Sequence, residues 1–280
     1  MNDLVGRTIV DRYRVETLIG RGGMSDVYKA WDLDRATYLA LKLLREDLVQ
    51  DEIFLRHFRL EAQTLANLQH PSIVRFYGLE QEDLLAFMLM EFVDGITLRS
   101  EIFRSQGVPF STERIFELMC PVCSALHYAH RMGMVHCDVK PANIMIDKNN
   151  RILVTDFGIA RMTEMAAVTM VGAGTPSYMA PEQIADKDPT PETDIYSLGV
   201  ILYEMVTGGE RPFIGKNADT EGSTGEKVRW EQLFLAPPSP REYNSDLSPE
   251  LETMVMKCLQ KDPEKRYPST LALLKDLENL

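Results

Sequence analysis

Near residue 95 the spacing of apolar residues passes from mostly strand-like, with one helix, to helical, and that change limits the fold more than any other feature. Residues 13–19 and 26–31 alternate apolar and polar side chains on either side of a glycine turn at Gly20, Gly22 and Gly23, which predicts a β-hairpin. Residues 38–44 read as a third strand. Phe54, Leu55, Phe58, Ala62, Leu65 and Leu68 then recur at helical spacing and predict a helix over 52–68. His70-Pro71 is expected to end it, because proline disfavours helical backbone just before it. Two more strands are expected around 73–77 and 84–90. Beyond Gly95 the pattern is helical. Ile115, Phe116, Met119, Val122, Leu126 and Ala129 share one face of a helix over 112–132. Residues 194–207 are apolar nearly all round, as a buried central helix would be, and 247–259 and 269–280 complete the helical set. Residues 216–227, rich in Gly, Ser, Thr and Asp, read as a solvent loop. The fold class is therefore α+β: a small β-rich unit over 1–93 and a larger helical unit over 94–280, joined near Glu91–Asp94.

Composition narrows the function. The formal net charge is −12, which argues against nucleic acid or an anionic membrane surface as the main partner. With 45% hydrophobic residues a core forms without staples. The four cysteines, at 120, 123, 137 and 258, have no disulfide-framework spacing, so a reduced, cytoplasmic setting is the simpler expectation. The first residues lack a signal-peptide apolar stretch, and no run of about 18 apolar residues predicts a membrane span.

The chemistry is concentrated between residues 136 and 158. His136-Cys137-Asp138-Val139-Lys140-Pro141-Ala142-Asn143 is followed, after a short apolar segment, by Asp156-Phe157-Gly158. This order supplies a carboxylate to meet a hydroxyl, a lysine for phosphate charge, and an amide and a carboxylate suited to magnesium. Ala180-Pro181-Glu182 lies downstream; the glycine turn and a strand lysine, Lys42, lie upstream. Taken singly, each has a plainer reading: a turn, a helix cap, an exposed lysine. In this order they resemble the eukaryotic-like, bacterial-type Ser/Thr protein kinase family, over nearly the whole chain.

The resemblance implies a bilobal protein kinase fold, with small β-rich and larger helical lobes, that uses ATP and Mg2+. Asp138 would orient the acceptor hydroxyl and receive its proton, and Lys140 would neutralise charge on the moving phosphoryl group. Asn143 and Asp156 would hold the metal. Lys42 would reach the α- and β-phosphates, held by Glu61 in preference to the earlier Glu46 and Glu52. Gly20, Gly22 and Gly23 would let backbone amides approach phosphate oxygens. Ile19, Val27 and Ala40 would line the nucleotide site, the backbone of Glu91 and Val93 would bond adenine beside Met90, and Met145 would form the floor. Thr175 would bridge Asp138 and Lys140, and Glu182 would pair with Arg266. Protein substrates with Ser or Thr acceptors are the implied partners, since a lysine two residues after the aspartate is the Ser/Thr pattern. Relatives also pair through the small lobe, and bacterial ones often continue into a membrane helix and an external sensor; both points stay open for this chain.

Two departures stand out. Ser25 occupies the position of a third glycine, a form common in bacterial members. Cys137 replaces the family's arginine, which grips an activation-loop phosphate, so activity is expected to depend only weakly on modification of Thr169 or Thr163, or to use another cation such as Arg161. Cys120 and Cys123 read as buried thiols on a helix, His127 and His130 as structural, and residues 237–241 as an extended connector. A nucleotide-binding pseudokinase would lack one of Lys42, Asp138, Asn143 and Asp156, and a small-molecule kinase would usually lack Ala180-Pro181-Glu182; all are present.

Overall fold

The computed structural model describes residues 4–22, 25–82, 85–157 and 176–280, without the side chains of helical residues 46–47, 53–54, 57–58, 60–61 and 64. Its backbone falls into two compact units, one reaching Asp94 and the other beginning at Gly95.

The first unit is built on an antiparallel sheet. Strands β1 (Thr8–Ile9), β2 (Tyr13–Arg21), β3 (Ser25–Asp32), β4 (Thr37–Leu44), β5 (Phe76–Glu82) and β6 (Leu85–Glu91) pair in the order β1-β2-β3-β4-β6-β5. Strand alternation puts Leu39 and Leu41 of β4 with Phe87 and Leu89 of β6 in one buried cluster that also holds Tyr13, Val15, Tyr28 and Ala30. The opposite faces of the same strands contribute Leu44, Ala86 and Met88 to a second cluster, closed by Leu48, Val49 and Leu55. The central strands are thus buried on both sides, which is why 38–44 reads as a nearly continuous apolar run. Tyr13 Oη donates to Glu80 Oε1 at 2.6 Å, tying β2 to the far edge strand.

The first unit departs from expectation at two boundaries. The helix Glu52–Ala66 stops before Leu68, and well before Pro71. Asn67 Nδ2 donates to the Gln63 carbonyl at 3.0 Å, and Leu68 N–H turns back to Leu65 O at 3.0 Å, so the last turn is closed locally. The strand expected at 73–77 begins only at Phe76, because residues 70–73 form a turn: Ser72 N–H donates to His70 Nδ1 and Ile73 N–H to His70 O. A short helix, Glu46–Val49, adds to the elements expected.

The second unit opens with a three-stranded sheet of β7 (Gly95–Thr97), β8 (Ile144–Asp147) and β9 (Ile152–Val154), followed in chain order from β7 by the helices Leu98–Arg104 and Thr112–Arg131. Gly95 is required where β7 meets β8: a Cβ there would sit 2.0 Å from Ile146 O. The Thr112–Arg131 helix starts where Ser111 Oγ accepts from Arg114 N–H, and buries Ile115, Leu118, Met119, Val122, Leu126 and Ala129. At the centre of this unit runs Pro191–Thr207, buried at every position from Thr193 to Thr207 and ended by Gly208 at φ 76. This helix packs so closely on Pro249–Cys258 that a Cβ on Gly199 would lie 2.6 Å from Cys258 Cβ. The terminal helix Thr270–Glu278 is fastened to Thr112–Arg131 by Thr270 Oγ1 donating to Cys123 O at 3.0 Å.

Residues 216–227 are not all loop, contrary to their composition, since a helix runs from Thr224 to Phe234. Ser223 Oγ accepts from Glu226 N–H, and Glu226 Oε2 accepts from Ser223 N–H at 2.7 Å, a capping box that starts the helix inside the polar stretch. No helix among the described residues is long and apolar enough to cross a membrane.

Candidate active site

In the second unit a loop runs from His136 through the one-turn helix Pro141–Asn143 into β8. Asp138 lies near its middle with its side chain 40% exposed, open enough to receive a solute. Lys140 Nζ donates to Asp138 Oδ2 at 2.6 Å. The buried Asn143 uses Nδ2 on Asp138 twice, to the backbone O at 2.9 Å and to Oδ2 at 3.1 Å. Spacings of two and five residues thus close on one carboxylate. With its nitrogen engaged, Asn143 has the carbonyl Oδ1 to offer, an acceptor of the kind a hard divalent cation takes.

The loop is held from below. Asp194, fully buried in the first turn of Pro191–Thr207, accepts the backbone N–H of His136 at 2.9 Å through Oδ2 and that of Cys137 at 2.9 Å through Oδ1. His130 Nε2 reaches Asp194 Oδ2 at 2.7 Å, so His130 is a structural partner, in keeping with the reading of His127 and His130 as structural. His136 Nδ1 accepts from Asp138 N–H at 3.2 Å, which leaves Nε2 as the donor to Thr155 O at 2.9 Å. The His136 ring packs on Phe157 with centroids 4.5 Å apart. Thr155 N–H donates to the backbone O of Asn143 at 2.9 Å, so the segment leading to Asp156 is tied to the Asn143 main chain. Cys137 and Asp156 both adopt left-handed backbone, φ 66 and 63, a conformation uncommon outside glycine and one that re-aims the adjoining side chains. Met145 pairs with Leu153 in the sheet just before Asp156.

The Ala180-Pro181-Glu182 segment is anchored to the same unit. Arg266 Nη1 and Nη2 donate to Glu182 Oε1 and Oε2 at 2.7 and 2.8 Å, the pairing expected from the sequence, with Arg266 fully buried. Burial pushes the Glu182 carboxyl up, but the Arg266 contact outweighs it and holds the group below the usual carboxylate range. The turn Pro176–Tyr178 is gripped by Gln232, whose Nε2 donates to Pro176 O and Ser177 O, and by Ser197 Oγ, which donates to Tyr178 O at 2.8 Å. Tyr178 Oη donates to Glu204 Oε2 at 2.7 Å, and Arg211 Nη1 to Ser177 Oγ at 2.6 Å. Burial pushes the Glu204 carboxyl up to about 7, against the pull of Tyr178 and Arg211.

In the first unit, Lys42 is buried on β4, directly opposite Val27 on β3. Ala40 lies two residues earlier on the same face, and Gly20 of β2 is opposite Val27. Gly22 N–H donates to Ser25 O at 2.8 Å, closing the hairpin, and the side chain of Ser25 is buried in it. Ile19 is 49% exposed. Glu91 ends β6 with its N–H bonded to Arg75 O at 2.8 Å, and Val93 follows, half-buried. Glu61 lies on the Glu52–Ala66 helix, but its side chain is outside the described set, as are Gly23, Gly158, Arg161, Thr163, Thr169 and Thr175. Asp194, whose role as an anchor was not foreseen, and Ser197, Glu204, Arg211 and Gln232 are among the contributors to this architecture that the sequence reading did not single out. A lone aspartate opening an otherwise apolar helix was the signal available for the first.

Comparison with known proteins places these features. A family described as "Protein kinase domain" matches residues 13–276. Serine/threonine-protein kinase PknB of Mycolicibacterium smegmatis is 40% identical over 279 residues, 95% of this chain and 42% of that protein. PknB of Mycobacterium tuberculosis is 41% identical over 279 residues with the same coverage. The chain spans about two fifths of the length of these curated relatives. The crystal structure of the Mycobacterium tuberculosis PknI kinase domain superposes with a TM-score of 0.75 at 26% identity, covering 98% of this chain and 98% of that one.

Proposed function

Since this chain belongs to the protein kinase family, in its bacterial serine/threonine branch and with the kinase fold, we propose that it transfers the γ-phosphoryl group of ATP to Ser and Thr hydroxyls of other proteins. The observation that carries this reading is the Asp138 carboxylate, part exposed and bonded by both Lys140 and Asn143. A carboxylate so oriented can accept the proton of an approaching hydroxyl as the oxygen attacks phosphorus. Lys140 Nζ lies beside it, ready to offset the negative charge that passes over the transferred group. The family uses ATP and Mg2+. In this chain the carbonyl oxygen of Asn143 and the carboxylate of Asp156 would hold the metal, which when bound supplies positive charge to phosphate oxygens.

On the nucleotide side, Lys42 would meet the phosphates with Glu61 as its partner. Ile19, Gly20, Gly22, Gly23, Val27, Ala40 and Met145 would line the nucleotide, and the backbone of Glu91 and Val93 would bond adenine. The boundary between the small β-rich lobe and the larger helical lobe is proposed between residues 93 and 94, one residue from the break between the two compact units at Asp94 and Gly95. The four cysteines form no disulfide, which fits a cytoplasmic setting, and protein substrates are the expected partners. Incubation with radiolabelled ATP, Mg2+ and a generic protein acceptor tests the proposal. Asp138→Asn keeps the shape and removes the proton acceptor, and should lower turnover by about 10²–10⁴-fold. Equal label incorporation by both proteins would overturn the mechanism.

A further inference from the structure

Gln183 directly follows Glu182, and both ends of its amide are engaged. Oε1 accepts from Ala180 N–H at 3.0 Å, and Nε2 donates to the Cys137 carbonyl at 2.8 Å. Cys137 is the residue ahead of Asp138 and holds the left-handed backbone noted above, φ 66, which a side chain other than glycine adopts only when its surroundings fix it. Its N–H is fixed by Asp194 Oδ1 at 2.9 Å. Its carbonyl, which belongs to the peptide bond leading into Asp138, is fixed by Gln183. The first grip comes from a carboxyl side chain on the buried helix; the second comes from an amide on the Ala180–Gln183 segment. Cys137 Sγ points back to Val135 O at 3.6 Å, so it is the backbone of this residue that Gln183 holds.

We infer that Gln183 is a positioning residue, which sets the angle at which Asp138 is presented and locks it to the segment downstream. The amide is suited to this because it gives a donor and an acceptor in one plane. A carboxylate at the same place could serve Ala180 N–H but would face the Cys137 oxygen with a second acceptor. This inference rests on the kinase reading and deepens it.

Kinetics of the full chain with labelled ATP and a protein acceptor, from about pH 5.5 to 8.5, test the role. Gln183→Met keeps the length and loses both bonds, and kcat should fall about tenfold with KM for ATP unchanged, the size expected for two net hydrogen bonds. Gln183→Glu should lose as much at the alkaline end of that range. Its kcat relative to wild type should then recover as the pH falls, because the protonated acid can donate to Cys137 O as the amide does. Asp138, Lys140, His136, Asp194, His130 and the Glu182–Arg266 pair, the ionisable and charged groups around this contact, are common to both proteins, so the ratio cancels what the two share. Thermal melting establishes that each variant is folded; if the Met variant is not, the pH dependence of the Glu ratio decides. A Met variant within about twofold of wild-type kcat, or a Glu ratio flat with pH, overturns this inference alone. A wild-type chain that transfers no label overturns the kinase reading, and this inference with it.

Discussion

Replacing Arg266 by Met should destabilise the protein by about 4–6 kcal/mol, one of the largest losses any single substitution here could produce. The size follows from what the guanidinium does. All five of its N–H groups are used: Nε on Gln260 O at 2.7 Å, Nη1 on Glu182 Oε1 and Glu192 O, Nη2 on Glu182 Oε2 and Lys261 O. Met fills much of the same volume over the Tyr196 ring, now 4.9 Å from the guanidinium carbon, so the loss is electrostatic more than steric. An isolated buried carboxylate costs about 3–5 kcal/mol, and three carbonyls that lose a donor add roughly another 1 kcal/mol in all after partial rehydration. Urea unfolding followed by far-UV circular dichroism measures the difference. A second substitution identifies its source: adding Glu182→Gln removes the stranded charge and should return about 2 kcal/mol. The pH dependence carries the same signature. Glu182 sits below its ordinary value of 4.5 in the folded protein, so its contribution is complete above 4.5 and is lost as the pH falls through the folded value. In Arg266→Met the sign reverses, and mild acid should stabilise the variant relative to wild type. A loss under about 1 kcal/mol, or a double variant weaker than the single, would refute the reasoning.

Glu204 gives an opposite pH effect. Its folded value of about 7 exceeds the ordinary 4.5, so its contribution to stability is complete below 4.5 and is lost as the pH rises through about 7. Glu204→Gln should therefore flatten the stability profile between about pH 5 and 8, removing a decline on the order of 3 kcal/mol, as read from thermal melting across that range; an unchanged profile would mean that the carboxyl ionises normally. Gly199→Ala drives a methyl to within 2.6 Å of Cys258 Cβ, so it should cost about 1–3 kcal/mol in urea unfolding despite the better helix propensity of alanine. A neutral or stabilised variant would show that the two helices can separate freely.

The legibility of this molecule in its sequence follows the reach of each interaction. Asp138, Lys140 and Asn143 meet within five residues, so their spacing alone suggested a shared task. Glu182 and Arg266 lie 84 positions apart, and only the family resemblance joined them before the structure did. Asp194 drew no notice because an acidic residue in the first turn of a helix is favourable wherever it points; its actual partners, the backbone of His136 and Cys137, are 58 and 57 residues away. Gln183 carries no charge, and although its bond to Ala180 N–H is a local helix-start contact, the Cys137 carbonyl at its other end is 46 residues away, so only the fold could show both ends of its amide in use. The Thr224–Phe234 helix is a different kind of omission. Its Ser223 and Glu226 form a recognisable start signal, but they sit in a Gly-, Ser- and Thr-rich stretch whose composition suggested a loop. The helix end and strand start in the first unit shifted by a few residues because turn bonds from His70 and a side-chain cap from Asn67 act at single positions, below the resolution of periodicity.

The Pro191–Thr207 helix has a consequence for motion. Asp194 suspends the His136–Cys137 backbone from one end, Thr193 touches Glu182, and Ser197 and Glu204 carry Tyr178. Because two loops hang from a single rail encased in apolar packing, thermal drift of the rail carries both in the same direction and leaves the gap between them unchanged. Evolution inherits the same constraint: a substitution that tilts the rail to retune one loop disturbs the other, so variation in what this domain recognises must come from side chains hung beyond it.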